Sequence, residues 1–335
     1  MTDTTTTAAP QKRSLLQDVD LRAIAPFIAL ALLLVLGSFA HDNFLTANNL
    51  LNVMTRSAYI AIIAIGATFV ITAGGLDLSV GAMTAFIASL AIMFMNAGGI
   101  ANPLTMVMAA MALMLAIGMV CGLTNGLVIT LGKIEPFIAT LGMMGIYRGL
   151  TTWLSQGGAI TLGNPDVQAT YRPVYFGNLF GIPYPVLAIF ITAAIAAFIL
   201  YRTSFGRHVI AVGSNEDVAR YSGISVARVR TMTYVIQGLC VAGACLIYIP
   251  RLSSTTATTG TMWELNAITA VVVGGTALRG GVGRVWGTVA GAFILEIIGN
   301  IMLLTTYVSE YLLGAIQGAI VIIAMLVQRS LTRRS

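Results

Sequence analysis

Long apolar runs separated by short polar segments dominate the chain. A helix that crosses a membrane needs about 20 predominantly apolar residues, and about ten runs approach that length. They cover residues 24–40, 57–74, 76–96, 103–130, 134–154, 184–201, 231–250, 262–278, 287–304 and 311–327. This pattern predicts an all-α integral membrane protein with about ten transmembrane helices.

Polar segments are predicted at both ends of this membrane domain, which covers residues 21–330. Residues 1–20 are rich in threonine, which favours a disordered terminus, and residues 331–335 form a short tail. The first apolar run follows basic residues, as it would in a signal peptide. Because no small-residue cleavage site follows the run, we interpret it as an uncleaved membrane helix.

Composition agrees with this class. Hydrophobic residues make up 57% of the chain and charged residues only 9%, whereas soluble domains carry about 25% charge. The net charge of +6 is therefore interpreted as a membrane signal and not as a nucleic-acid surface. With the first residue inside, fourteen of the 18 Lys and Arg residues fall on the cytoplasmic side. This asymmetry predicts an even number of spans with both termini cytoplasmic.

One interior segment, residues 202–230, is plainly polar and holds five arginines. Each charge would cost about 2.5–3.5 kcal/mol or more in hydrocarbon, so this island must lie outside the membrane. Within it, Asn215 or the serine before it can cap a short helix that carries Glu216 near its start and ends at Gly223. Ala219, at the centre of that helix, is expected to leave room for a partner surface. A solvated loop with an incidental helix is the alternative.

A glycine pair interrupts the apolar pattern between the second and third predicted spans. Gly74 and Gly75 are followed by Asp77 and Ser79, either of which can cap the next helix. Irregular backbone at membrane depth is tolerated only beside a cavity or other protein. We therefore predict a hinge or re-entrant element near a translocation path, and a simple cytoplasmic turn remains the alternative.

The same glycine spacing returns near the end of the chain. Three glycines at 74, 75 and 81 correspond to three at 280, 281 and 287, at a constant offset of 206 residues. Such an echo is typical of internally repeated transporter folds. The glycine-rich turn at 280–283 lacks the Lys-Ser/Thr pair of a nucleotide-binding loop, so nucleotide binding there is excluded.

Polar residues inside predicted spans are the remaining candidates. Asn125 lies in one span, and Glu264 and Asn266 begin another; intramembrane polar groups mark possible path positions. With two histidines and three cysteines scattered in apolar runs, no catalytic triad or metal cluster is apparent. The sequence therefore predicts neither an enzyme nor a metal site.

Four blocks give the chain a recognisable resemblance. "GGLDLSVG", "GKIEPFIATLGMMGIYRGL", "GSNEDVARYSGISVARVR" and "ELNAITAVVVGGTALRGGVGRVWGTVAGA" occur in order and resemble the ribose/xylose/galactoside-type permeases of bacterial ABC sugar importers. The resemblance implies a ten-helix subunit of the type II (vitamin B12-type) fold, in a homodimer or pseudo-dimer in the inner membrane. It also implies a separate ATPase with two nucleotide cassettes, which uses ATP and Mg²⁺, and a periplasmic sugar-binding protein.

In that family the island carries the segment that couples to the ATPase. The matching positions here are Gly213, Asn215, Glu216, Ala219 and Gly223. The chain departs from the family at Arg279 and Val282, where a small residue and a lysine are frequent.

The expected function is therefore that of a transport subunit for a monosaccharide or related polyol, with no cofactor of its own. The sequence does not name the sugar. The alternative is an ion-coupled secondary transporter, which would depend on intramembrane carboxylates such as Asp77, Glu135 or Glu264.

Overall fold

The computed structural model describes residues 21–305, together with residues 312, 314–316, 318, 319 and 322. The predicted segments 1–20 and 331–335 lie outside the described residues, as does most of the predicted span 311–327.

Helices make up most of the described chain. They are α1 (Leu21–Ala40), α2 (Ala47–Arg56), α3 (Ala58–Thr72), α4 (Val80–Asn96), α5 (Pro103–Gly132), α6 (Pro136–Ser155), α7 (Pro165–Tyr171), α8 (Pro173–Phe176), α9 (Tyr184–Arg202), α10 (Ser204–Ser214), α11 (Glu216–Tyr221), α12 (Val226–Leu252), α13 (Trp263–Val273) and α14 (Val285–Thr305). Four short strands accompany them: β1 (Ala159–Thr161), β2 (Asn178–Leu179), β3 (Ile182–Pro183) and β4 (Ser254–Thr256).

Several of these helices have the length and apolar character of membrane spans. Within the described residues, α5, α9, α12 and α14 qualify by themselves, and α2 with α3 forms a further span bent by 47°. Residues Ile24–Ala40 of α1, together with α4 and α13, are apolar but shorter. The helical membrane fold is thus confirmed. The described part of the chain gives four or five full-length spans, and the total of about ten stays a prediction.

Individual boundaries differ from the predicted spans for local reasons. α4 begins at Val80 and not at 76, because residues 73–79 are not helical. α12 begins at Val226, so Arg228 and Arg230 belong to its first turns and not to a loop. The island contains α10 in addition to the predicted short helix; Thr203 caps α10 by accepting a bond from the amide of Gly206, 3.2 Å away.

The longest helices pack at the centre of the bundle. Three glycines spaced four residues apart, Gly118, Gly122 and Gly126, line the face of α5 that meets α12. A Cβ atom added at Gly126 would lie 2.7 Å from the Cα of Thr231 on α12. Small residues at this spacing let the two backbones approach closely, which makes α5 and α12 the rigid support for the neighbouring irregular segments.

The two ends of the bundle differ in character. α9 connects residues 155–183 at one end, here called the loop end, with the island at the other, here called the island end. At the loop end β1 pairs antiparallel with β4, and the side chain of Asn96 bonds the carbonyl of Thr161 at 2.9 Å. Residues 155–183 form short elements and, as predicted, contain no span of their own.

Candidate translocation site and coupling island

Three of the predicted path residues form one buried polar cluster. Asp77 is 6% exposed, while Ser79 and Asn125 are fully buried. Ser79 donates its amide (2.9 Å) and its hydroxyl (2.6 Å) to Oδ1 of Asp77. Asn125 donates from Nδ2 to the hydroxyl of Ser79 at 2.8 Å and lies 3.5 Å from Oδ2 of Asp77. The segment after α3 is thus joined to α5 by side chains that lie 46 to 48 positions apart in the sequence.

Three hydroxyl groups from two further helices complete the surroundings of residues 73–79. Tyr147 of α6 donates to Oδ1 of Asn125 at 3.0 Å, and Thr140 of α6 accepts from the amide of Leu78 at 3.2 Å. Tyr234 of α12 donates to the carbonyl of Leu76 at 2.9 Å. Sequence reasoning missed these partners, although each is a hydroxyl in an apolar span.

This segment is a buried break and not a surface turn. Tyr234 lies eight residues after the start of α12 at Val226, which places its contact with Leu76 about 12 Å inside the helix end. Of the two predicted capping residues, Asp77 does accept the amide of Ser79 at the start of α4. The capping expectation is wrong for Ser79, which occupies the N-cap position of α4 without a side-chain cap bond. Its hydroxyl is directed to Asp77 instead.

Backbone conformation explains the glycines at the start of the break. Gly74 has φ +80°, a left-handed angle that costs other residues roughly 1–2 kcal/mol. Gly75 is required for space: a Cβ there would lie 2.8 Å from the hydroxyl of Tyr234.

A second irregular segment precedes α13. From Ser253 to Met262 the chain leaves α12, forms β4 and turns back into the bundle, with left-handed angles at both of these residues. Arg148 of α6 donates from one Nη1 atom to the carbonyls of Ala257 and Thr259. Gly260 packs against Gly81, in the first turn of α4. The two irregular segments are therefore neighbours through α4.

Glu264 and Asn266 lie with this second segment and make no hydrogen bond to the Asp77 cluster among the described residues. Oε2 of Glu264 is buried without a hydrogen-bond partner and would lie 2.7 Å from a Cβ at Gly81. Asn266 lines a small cleft that also contains Ser57 and Glu296. The predicted path residues thus fall into two separate groups.

A second glycine-rich break, residues 274–284, separates α13 from α14. This break and the first one, residues 73–79, meet the island at Gly213. The amide of Gly281 donates to the carbonyl of Thr72 at 2.9 Å, and a Cβ at Gly213 would lie 2.7 Å from that amide and would overlap the Thr72 carbonyl. A Cβ added at Gly74 would lie 4.0 Å from the Cα of Gly213. The glycine echo therefore has a structural counterpart, since α3 and α4, like α13 and α14, are helices separated by a break.

The predicted short helix of the island is confirmed as α11. Asn215 caps it by accepting from the amide of Val218 at 3.0 Å, and Gly223, with φ +81°, follows its end. Glu216 pairs with Arg220 within the helix and with Arg230 on α12, both at 2.6 Å. This bridge fixes α11 against the start of α12.

The interpretation of Ala219 is corrected by the helix orientation. Ala219 is 3% exposed and belongs to the hydrophobic core, so its methyl group packs inward and leaves no room for a partner. Val218 and Tyr221 are 60% and 91% exposed. These two residues, with the exposed charged side chains of Asp217 and Arg220, form the outward face of α11.

Metal-binding chemistry finds no support in the described part of the chain. No group of three or more His, Cys, Asp or Glu residues there could hold an ion. Cys121, Cys240 and Cys245 are free and buried, as hydrophobic residues would be.

Comparison with known proteins defines the class. Residues 49–325 match the family described as the permease component of branched-chain amino acid transport systems, and the chain belongs to this family. The predicted class, a permease of a transport system, is thereby confirmed.

Curated relatives extend over nearly the full length. The chain is 40% identical over 311 residues to the ribose import permease protein RbsC of Bacillus subtilis (92% of this chain, 93% of that one). It is 38% identical over 300 residues to RbsC of Escherichia coli K12 (90% and 91%). It is 33% identical over 308 residues to the galactose/methyl galactoside import permease protein MglC of Salmonella typhimurium (89% and 91%).

One solved structure of an inward-facing ABC transporter, described as metal-chelate type, aligns with 91% of this chain and 99% of its own. The TM-score is 0.49 at 13% identity, a likeness too distant to carry an argument about this chain.

Proposed function

We propose that this chain is the permease subunit of an ATP-driven ABC importer that moves a monosaccharide or a related polyol across the bacterial inner membrane. The observation that carries the proposal is the identity of 37–40% to ribose import permeases over at least 90% of the chain. Relatives named for allose and galactose import are 31% and 33% identical, so the sugar class has more support than any single sugar.

The assembly we propose follows the resemblance. Two copies of a ten-helix, type II subunit enclose the path, with both termini in the cytoplasm. A separate ATPase with two cassettes binds ATP and Mg²⁺ at the island end, and a periplasmic sugar-binding protein docks at the loop end. The permease itself carries no cofactor and hydrolyses no ATP.

Coupling is proposed to run from the island to the two breaks. Movement of α10 and α11 on the ATPase would reach Gly213, whose backbone contacts both the end of α3 at Thr72 and the turn at Gly281. Because atoms in close contact cannot move independently, a shift of the island displaces both broken helix pairs together. The Asp77 cluster lies on the first of these pairs.

Reconstitution tests the proposal directly. Permease, ATPase and binding protein in proteoliposomes should take up ribose, galactose or allose with ATP and without an ion gradient. A branched-chain amino acid serves as the comparison substrate, and the permease alone should show neither ATP hydrolysis nor tight sugar binding. Uptake that follows an ion gradient and ignores ATP would instead identify a secondary transporter.

A further inference from the structure

We propose that Arg148 is a positioning residue that holds the segment from Ser253 to Met262 as a hydroxyl-lined part of the substrate path. This inference rests on the proposed function for the identity of the substrate, but not for the geometry. The segment is rich in hydroxyls, with serine or threonine at seven of its ten positions.

The position of Arg148 makes its interaction specific. It lies 12 residues after the start of α6 at Pro136 and 7 before its end at Ser155, or about 18 Å and about 10 Å from the helix ends. An arginine at such depth is costly and is retained where it pairs with carbonyls or lines a cavity. Its Nη1 atom donates to the carbonyls of Ala257 and Thr259. These bonds give the guanidinium acceptors and give the irregular backbone a donor for two of its carbonyl groups.

The turn itself is held from both sides. The hydroxyl of Thr259 accepts from the amide of Thr256 at 3.0 Å, and the amide of Thr259 donates to the carbonyl of Thr256 at 3.1 Å. Tyr248 of α12 lies 3.4 Å from the hydroxyl of Thr259. Thr259 is therefore used internally. Thr258 shares a hydrogen bond of 3.0 Å with the hydroxyl of Thr256, and Thr261 donates to the carbonyl of Thr258 at 2.6 Å. Each of these hydroxyls has two lone pairs and so can still accept from a ligand.

Exposure shows which side chains face outward. Thr258 and Thr261 are exposed, whereas Thr255 is 1% exposed. Irregular backbone at membrane depth cannot face lipid, and it is tolerated only against protein or a water-filled cavity. In the proposed pair of copies we assign this exposed edge to the aqueous path between them, where the hydroxyls of Thr258 and Thr261 can accept hydrogen bonds from the hydroxyls of a passing sugar.

The substrate chemistry follows from this lining. Neutral hydroxyls donate and accept hydrogen bonds and carry no net charge, so they suit the hydroxyl groups of a polyol. They offer no positive charge that could pair with the carboxylate of an amino acid. Nη1 of Arg148 donates to two carbonyls, and the guanidinium also interacts electrostatically with Glu264, so we assign it a role in positioning the backbone and not in binding an anion. Weak contacts of this kind allow passage, because a deep well would retain the ligand.

Labelling from water tests the path assignment without any substrate. Thr258→Cys in the reconstituted permease should react with a membrane-impermeant thiol reagent about tenfold faster than Ile191→Cys, an exposed apolar position near the middle of α9. Thr255→Cys is the matched buried control in the same segment and should stay unlabelled. Labelling of Thr258→Cys no faster than Ile191→Cys would overturn the proposal.

Uptake tests the role of Arg148. Arg148→Met should lower sugar uptake about tenfold or more, the scale of lost charge-assisted hydrogen bonds, and Arg148→Lys should retain more uptake than Arg148→Met. Arg56→Met, which removes an exposed arginine at the end of α2, is the matched control and should stay within about twofold.

Failure of the two proposals can be told apart. If the wild-type assembly imports no sugar, the proposed function fails, while the labelling rates still decide where the segment lies. If the wild type imports sugar and Arg148→Met does so at the wild-type rate, the proposed positioning role of Arg148 in transport is wrong. Should Arg148→Met fail to reach the membrane, the uptake by Arg148→Lys and the labelling rate of Thr258→Cys decide the proposal instead.

Discussion

The amide of Gly281 donates a hydrogen bond of 2.9 Å to the carbonyl of Thr72, and this bond joins the turn after α13 to the end of α3. The carbonyl of Thr72 lies at the end of α3, where it has no hydrogen-bond donor within its own helix. Gly281 can reach it because its φ of +80° turns the backbone toward α3. The bond is thus the point at which the two broken helix pairs and the island meet.

Crowding at this point predicts a strong effect of a single methyl group. Gly213→Ala should lower stability by about 1–3 kcal/mol, because overpacking forces backbone shifts, and should also reduce uptake. Thermal unfolding in detergent and uptake in proteoliposomes measure the two effects. Gly142→Ala on α6, where an added Cβ meets nothing within 4 Å, is the control. Equal behaviour of the two variants would show that the junction is loose.

Charge and shape can be separated at Asp77. Asp77→Asn keeps an Oδ1 that accepts both bonds from Ser79 and loses only the acceptor that lies 3.5 Å from Asn125. We expect a modest loss of ATP-driven uptake. Asp77→Leu leaves buried donors unpaired, at about 1–3 kcal/mol each, and should also lower the unfolding temperature. A secondary transporter would behave differently: Asp77→Asn would abolish ion coupling and retain exchange without ATP.

The contact between Gly75 and Tyr234 predicts a non-additive pair. Gly75→Val should reduce folded yield and uptake, because its side chain would occupy the space of the Tyr234 hydroxyl and of Val70. Tyr234→Phe removes one hydrogen bond, worth about 1 kcal/mol. In the double variant the missing hydroxyl relieves part of the clash, so the combined loss of stability should be smaller than the sum. Strict additivity would show that the two residues do not compete for space.

Orientation of α11 predicts which island substitutions uncouple transport. Tyr221→Asp changes a residue that is 91% exposed, so it should lower uptake and ATPase stimulation at an unchanged unfolding temperature. Ala219→Leu places three extra carbons in a buried position and should destabilise the island by about 1–3 kcal/mol. The opposite result, with Ala219→Leu stable and uncoupled, would restore Ala219 as a docking position.

Glu216 gives a separate test of the island's rigidity. Glu216→Lys removes both ion pairs and places a third positive charge beside Arg220 and Arg230. We expect normal membrane insertion with reduced ATP-driven uptake, measured by membrane yield and transport. Glu216→Gln, which removes the charge without adding repulsion, should lie between this variant and the wild type. Normal uptake by Glu216→Lys would remove the bridge from the mechanism.

Local patterns were sufficient for the class of protein and for several candidate residues. Apolar runs, the polar island and the glycine break are properties of neighbouring residues, because each depends on whether a short stretch can remain in hydrocarbon. For this reason the local pattern alone indicates Asp77, Ser79 and Asn125 as path candidates, and Asn215 and Gly223 as the ends of α11.

Only the tertiary structure decided how these parts meet. Arg148 and the carbonyl of Ala257 are 109 residues apart, and no local pattern predicts that pairing. The helical phase of α11 sets Ala219 inward, which a stretch of six residues cannot specify by itself. The sequence thus determined which segments can enter the membrane, since transfer from water depends on local composition. The fold determined which polar groups satisfy one another, since inside the bundle each buried donor and acceptor must find its partner wherever the packing brings one.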